Sequence, residues 1–234
     1  MKKILFFSVI LIASLFFPPN PCQTVSPIED SYDKGMEYGI KGRFNEAKIE
    51  FVKGLNIDPN YGPIKQGVKI IEDLFNKKIK IATAIHLFKS ADYANKGRLD
   101  ESIAEDEIAI ALNPKYTTAY NNLGISYLQK SQYEKAVFYL DKAIGLDPNC
   151  YEAFVLRGLA DSRQKKFNWA ISDFSKAIKL NPKESGIYYN RALAYFFKRD
   201  YRNAIKDATK AKEMGYKIPP TFIDSLRNEL KRQI

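Results

Sequence analysis

The chain has 234 residues, of which 45% are apolar, and a formal net charge of +10. A single histidine and two cysteines are too few for a clustered zinc site or a disulfide framework. No glycine-rich phosphate loop follows a strand pattern, and no serine or cysteine lies in a recognisable nucleophile motif. We therefore expect a protein that is not an enzyme and that needs no cofactor or metal.

Residues 1–22 have the pattern of a secretory signal. Two lysines follow Met1, a charge-free apolar run extends from Ile4 to Phe17, and a proline-rich segment ends at Cys22. As a helix this run spans about 21 Å at about 1.5 Å per residue, short of the roughly 30 Å hydrocarbon core of a bilayer. The sequence thus predicts an exported protein, periplasmic or attached to the outer face of the membrane. Cleavage, retention as an anchor and lipidation at Cys22 all stay open, although the prolines around Cys22 disfavour lipidation.

A helix-stopping pair of Asp or Asn followed by Pro recurs along the chain, and its last three copies are evenly spaced: Asp58-Pro59, Asn113-Pro114, Asp147-Pro148 and Asn181-Pro182. Between these stops, small residues recur where two helices would approach each other closely. The two main series are Gly35, Ser90, Gly124, Gly158 and Ala192, then Ala47, Ser102, Ala136, Ala170 and Ala204. Large apolar residues recur beside them at helical spacing, namely Tyr38, Tyr93, Tyr127, Tyr195, Phe51, Leu140 and Phe174.

The phrase from Ala119 to Tyr127, followed by Ala136, Leu140 and Pro148, resembles the tetratricopeptide repeat. The even spacing of the last three stops matches the repeat length of that family. This resemblance implies an all-α fold, a right-handed α-solenoid of helix-turn-helix repeats with a C-terminal capping helix. We assign five repeats: 28–61, 83–116, 117–150, 151–184 and 185–218.

These repeats divide the chain into an N-terminal segment with the first repeat (23–61), an extra segment (62–82), four contiguous repeats (83–218) and a capping helix (219–234). In the extra segment, Ile64, Val68 and Ile71 fall at helical spacing, which predicts an amphipathic helix that separates the first repeat from the other four. That helix either packs against the first repeat or serves as a docking element.

The resemblance also implies a concave groove lined by the first helix of each repeat, where a partner peptide or amphipathic helix would bind. On that basis we expect a non-catalytic protein–protein interaction scaffold or assembly factor of the cell envelope. The alternative is that the protein fills the groove itself, for example with its C-terminal helix. The predicted partner-binding residues are Tyr32, Met36, Leu87, Ala91, Asn121, Ile125, Leu128, Val155, Leu159, Tyr189, Leu193 and Phe196.

The C-terminal part of the chain is strongly basic, since residues 185–234 carry 11 basic and 5 acidic side chains, a net charge of +6. Most of these charges are explained by solvated helix faces. A second hypothesis is a membrane-surface adaptor that meets anionic lipid through Arg199, Arg202 and Lys206. Export argues against nucleic acid as a partner, and the sequence does not determine the oligomeric state.

Several single residues have a structural interpretation. His86 lies where first helices place a packing aromatic residue, and Cys150 is expected to be a small packing residue. The acidic pairs Asp100-Glu101 and Asp106-Glu107 are expected to be exposed on amphipathic helices. Trp169 is expected to face outward or toward the next repeat.

Overall fold

The computed structural model describes residues 26–233, and within that range it contains twelve α-helices and no strand. The expected all-α class is thereby confirmed. The predicted signal or anchor at residues 1–22 lies outside the described residues. The helices are α1 (Pro27–Ile40), α2 (Phe44–Ile57), α3 (Gly62–Phe75), α4 (Ile81–Asn95), α5 (Leu99–Leu112), α6 (Thr117–Gln129), α7 (Tyr133–Leu146), α8 (Tyr151–Arg163), α9 (Phe167–Leu180), α10 (Ser185–Phe197), α11 (Tyr201–Glu213) and α12 (Pro220–Arg232).

Five helix pairs repeat the same local structure, and each pair has a first and a second helix: α1 with α2, α4 with α5, α6 with α7, α8 with α9 and α10 with α11. A residue with positive φ ends each first helix, and these residues are Gly42, Gly97, Ser131, Lys165 and Arg199. The next backbone N–H then donates back into the helix, as Lys166 does to the carbonyl of Asp161 at 2.8 Å. Glycine marks this turn in two pairs only, so the sequence signal for it is incomplete.

Small residues let the two helices of a pair approach closely, as the sequence predicted. A Cβ added to Gly124 would lie 2.7 Å from Leu140 Cδ2, and one added to Gly158 would lie 2.8 Å from Phe174 Cε1. Leu140 and Phe174 are both fully buried. Close packing of this kind leaves no room for a methyl group without movement of the neighbouring side chain.

The chain forms two compact units that divide between Pro114 and Lys115. In the first unit, Phe88 of α4 stacks on Phe44 and Phe51 of α2, with ring centroids 6.2 and 6.1 Å apart. Helix α3 packs on α2 and also contacts α1 and α4. The first and second helix pairs thus touch directly, and the extra helix does not hold them apart. The second helix pair shares a compact unit with the first.

The second unit comprises α6 to α12 and ends with α12 packed on α11. Ile223 and Leu226 of α12 are buried against a row of alanines on α11, which are Ala204, Ala208 and Ala211. Helix α12 therefore covers the apolar face that the last repeat would otherwise expose.

The pair α4 and α5 has an unusually polar interior, which corrects one sequence expectation. Asp106 is fully buried rather than exposed, and it occupies the second-helix position that Phe51, Leu140 and Phe174 fill in other pairs. The buried hydroxyls of Ser90 and Ser102 lie 3.1 Å apart across the same helix pair. The sequence analysis placed Asp106 on the exposed side of an amphipathic helix because it is acidic. That expectation is wrong because Asp106 lies at a core position.

Candidate partner-binding surface

In the first unit, three of the predicted groove residues are interior residues. Tyr32, Met36 and Leu87 have relative exposures of 9%, 4% and 0%, whereas Ala91 is half-buried. The ring of Tyr32 packs beside Phe51. Burial raises the pKa of the Tyr32 hydroxyl, which accepts a hydrogen bond from the Asn95 side chain. The prediction that Tyr32, Met36 and Leu87 are available to a partner is therefore wrong.

The physical reason is the way α4 docks in this unit. Helix α4 contacts α1 directly, and the ring of Phe88 would lie 2.7 Å from a Cβ added to Gly39. Asn95, near the end of α4, reaches across to Tyr32 of α1. The face of α1 that was predicted to be a groove is thus covered by another helix of the same unit.

In the second unit, the eight remaining predicted residues are all half-buried. They lie on the first helices α6, α8 and α10, and α8 contacts both of the others. Two of the eight are covered by the C-terminal part of the chain. The ring of Tyr189 stacks on Tyr216 at 4.9 Å and meets Phe222 edge-on at 5.7 Å, and Phe196 meets Phe222 at 6.0 Å. Burial accordingly raises the pKa of Tyr189.

The other six residues define what we call the central stripe. Equivalent members on successive first helices are one repeat length apart in the sequence. Neighbouring members on the same helix are three or four residues apart and therefore lie on one face of it. Val155 and Leu159 also pack against the buried cluster that contains Phe154 and Phe174. Half-burial of this kind lets a side chain keep one side on the core and offer the other to a partner. The central stripe consists of Asn121, Ile125, Leu128, Val155, Leu159 and Leu193.

Asn121 is the polar member of the central stripe, and its side chain is held in place. Its Nδ2 donates to Cys150 Sγ at 3.2 Å, and that thiol in turn lies 3.5 Å from Glu152 Oε2. Cys150 is buried, as the sequence predicted, and burial raises the pKa of its thiol. A neutral, packed thiol at the start of α8 fixes the Asn121 amide rather than supplying a reactive group.

A charged network joins the second helices to the first helices in this unit. The guanidinium of Arg157 on α8 donates to both carboxylate oxygens of Asp173 on α9, and its Nη1 donates to Asp141 on α7 at 2.6 Å. Arg191 on α10 repeats the arrangement one repeat later with Asp207 and Ser175. Each arginine therefore links a first helix to the second helices on either side of it.

Sequence reasoning missed this network, although a signal was present. The signal is that Arg191 and Asp207 repeat Arg157 and Asp173 one repeat later in the sequence. A charged pair that recurs with the repeat period indicates a contact between helices.

Comparison with protein-family models found tetratricopeptide repeats at residues 31–61, 117–150 and 185–214. The chain contains tetratricopeptide repeats in these three stretches. These matches cover the first, third and fifth helix pairs described above. Tetratricopeptide repeats generally form scaffolds for protein interactions and are typically non-catalytic.

Several solved tetratricopeptide structures have a similar fold. A crystal structure of MamA has 23% identity and a TM-score of 0.55, with 77% of this chain and 94% of that chain covered. MamA from Desulfovibrio magneticus RS-1 has 18% identity and a TM-score of 0.54, with 81% and 96% covered. PilF from Pseudomonas aeruginosa has 20% identity and a TM-score of 0.53, with 86% and 81% covered. The comparison with curated protein sequences found no match.

The residues from 26 to 233 present few features of other site types. None of their helices has the length and apolarity needed to cross a membrane. The same residues contain no group of three or more His, Cys, Asp or Glu side chains that could hold a metal ion. His86 Nδ1 lies 2.5 Å from Glu105 Oε2, a hydrogen-bond contact between α4 and α5 that belongs to the packing of that helix pair.

Proposed function

We propose that the central stripe of the second unit binds an apolar segment of a partner protein, either an extended peptide or one face of an amphipathic helix. The observation that carries this proposal is the half-burial of five apolar side chains on three neighbouring first helices. Helix-in-groove recognition uses apolar anchors spaced along a helix, which suits a surface of this kind. The protein would then act as a non-catalytic scaffold or assembly factor.

We also propose that this scaffold works in the cell envelope, in the periplasm or on the outer face of the membrane. The support is the basic, apolar and proline-rich order of residues 1–22. Fractionation of cells that express the full chain would test the location. Recovery in the cytoplasmic fraction alone would contradict it and would leave the binding proposal intact.

The binding proposal is best tested by crosslinking from within the central stripe. A photo-crosslinking residue placed at Leu159 should trap a specific partner in cells, whereas the same residue at Ile49 should not. Ile49 is the matched control because it is apolar and 56% exposed on α2 of the first unit. The trapped band is then identified, and its binding to the purified protein is measured directly.

The double variant Ile125→Glu with Leu159→Glu should abolish that binding and keep the fold. Loss of central anchors typically costs about 2 kcal/mol or more, which lowers affinity at least roughly thirtyfold. The control is Ile49→Glu with Ile81→Glu, two residues that are 56% and 60% exposed. A folded double variant that still binds the same partner would refute the proposal, and a double variant that melts far below the parent would show that the stripe is core.

A further inference from the structure

The second helices of the second unit expose a set of aromatic and cationic side chains that the proposed peptide binding does not use. Trp169 of α9 is 69% exposed, and Phe138 of α7 is 54% exposed. Sequence reasoning allowed an outward position for Trp169, and the structure shows it. The ammonium group of Lys142 lies 5.4 Å from the centroid of the Phe138 ring, so this face presents aromatic and cationic side chains together.

Lysines recur on this face with the period of the repeat. Lys142 on α7, Lys176 on α9 and Lys210 on α11 are all exposed, and each lies one repeat length after the one before it. The two arginine networks hold these three helices in register, because Arg157 joins α7 to α9 and Arg191 joins α9 to α11. Equivalent positions therefore recur from one second helix to the next. We call this set of exposed residues on α7, α9 and α11 the outer face.

The balance of charge on the outer face is strongly positive. Three of the carboxylates on these helices, Asp141, Asp173 and Asp207, are bound by Arg157 or Arg191. Two further carboxylates are exposed, Glu134 and Glu213. The outer face carries many more cations than these two carboxylates. The cations are the three periodic lysines and five further exposed side chains, Lys135, Lys179, Arg202, Lys206 and Lys212.

We propose that the outer face binds the surface of an anionic phospholipid membrane. Tryptophan is enriched at membrane interfaces, and lysines close to the membrane surface attract anionic headgroups at about 1 kcal/mol each. Lysine stems also lie easily along an apolar surface while their ammonium groups stay in water. The cations extend over three helices, which suits a planar charged surface. This proposal goes beyond peptide binding and uses the second helices, whereas the central stripe uses the first.

The single tryptophan of the chain makes a direct test possible. The full chain is titrated with vesicles of phosphatidylcholine alone and with vesicles that also contain phosphatidylglycerol. Trp169 fluorescence and its quenching by iodide are followed at low and high salt. We expect a blue shift and protection from iodide with the anionic vesicles, both reversed by salt. The tryptophan fluorescence comes from Trp169 alone, so it reports the surroundings of the outer face and not those of the N-terminal apolar run.

A matched pair of triple variants tests the role of the lysines. Replacing Lys142, Lys176 and Lys210 with Gln should raise the lipid concentration needed for half-maximal binding on the order of a hundredfold. The control replaces Lys65, Lys69 and Lys80 with Gln, three exposed lysines of the first unit, and should bind as the parent does. All six side chains are exposed, so circular dichroism should show the parent's helix content in both variants.

Three results would overturn the proposal. The first is a Trp169 signal that stays accessible to iodide while the protein is bound to anionic vesicles. The second is equal binding by the two triple variants. The third is a Trp169 shift with soluble polyglutamate but not with vesicles, which would assign the outer face to an acidic protein.

Discussion

Arg157 holds Asp173 through two parallel hydrogen bonds, from Nε at 2.8 Å and from Nη2 at 2.7 Å. The pair joins α8 to α9, and Asp173 keeps only 9% of its side-chain exposure. Bonding to Asp173 raises the pKa of Arg157 above its ordinary value. A two-point contact of this kind fixes orientation as well as distance.

Removing Arg157 should destabilise the second unit strongly. Arg157→Ala leaves the buried Asp173 without its partner, and loss of one member of a buried pair costs about 3–5 kcal/mol. Partial exposure of the arginine should bring the loss to the lower end of that range or below it. Chemical denaturation measures the free energy of unfolding.

The matched control for that loss is Arg227→Ala. Arg227 pairs with Asp224 on α12, where both side chains are more than 60% exposed. Exposed pairs are worth about 0–1 kcal/mol, so this variant should unfold close to the parent. Equal losses of unfolding free energy in the two variants would show that the buried Arg157 network contributes no more to stability than an exposed ion pair.

The contribution of Asp161 to the free energy of unfolding should change with pH. Burial, and next the carboxylate of Asp173, raise the pKa of Asp161 above its ordinary value. The folded state therefore binds this proton more tightly than the unfolded state. The stabilisation is complete below the ordinary carboxyl pKa and is lost as pH rises through the raised pKa.

Asp161→Asn removes that titration and serves as the test. The parent should gain stability relative to Asp161→Asn as the pH falls through this window, and it should be the less stable of the two at neutral pH. Free energies of unfolding across the window measure the difference. A difference that does not change with pH would show that Asp161 titrates alike in both states.

Two glycines of the third repeat should respond oppositely to the same substitution. Gly124→Ala places a methyl group 2.7 Å from Leu140 and should cost about 1–3 kcal/mol. Gly145→Ala has nothing within 4 Å of the new methyl group and lies within α7. It should stabilise by about 0.5–1 kcal/mol because alanine loses less backbone entropy in a helix. Thermal unfolding distinguishes the two, and equal shifts would contradict the packing.

The turns between helices allow a second paired test. Lys165 has φ of 61° and Gly97 has φ of 72°. This left-handed conformation is strained for every residue other than glycine. Lys165→Gly should therefore stabilise the folded protein and Gly97→Ala should destabilise it, each by about 1 kcal/mol. Destabilisation by both changes would mean that the Lys165 side chain makes contacts that outweigh its backbone strain.

Sequence determined the local features of this protein. The regular spacing of the Asx-Pro stops and the small residues such as Gly124 and Gly158 dictate helix pairs, because helix termination and close approach depend on the residues at those positions. These features were enough to predict the all-α fold and five helix pairs. They also placed Leu140 and Phe174 in the core.

Tertiary structure decided which of the predicted groove residues stay accessible. Tyr32 and Ile125 occupy equivalent stretches of first helices, yet Tyr32 is buried by α4 whereas Ile125 is half-buried. Tyr189 is covered by Phe222, a residue of α12 that lies far from it in the sequence. Local periodicity says which side of a helix is apolar. Whether that side meets another helix depends on docking between distant segments, which the helix pattern does not encode.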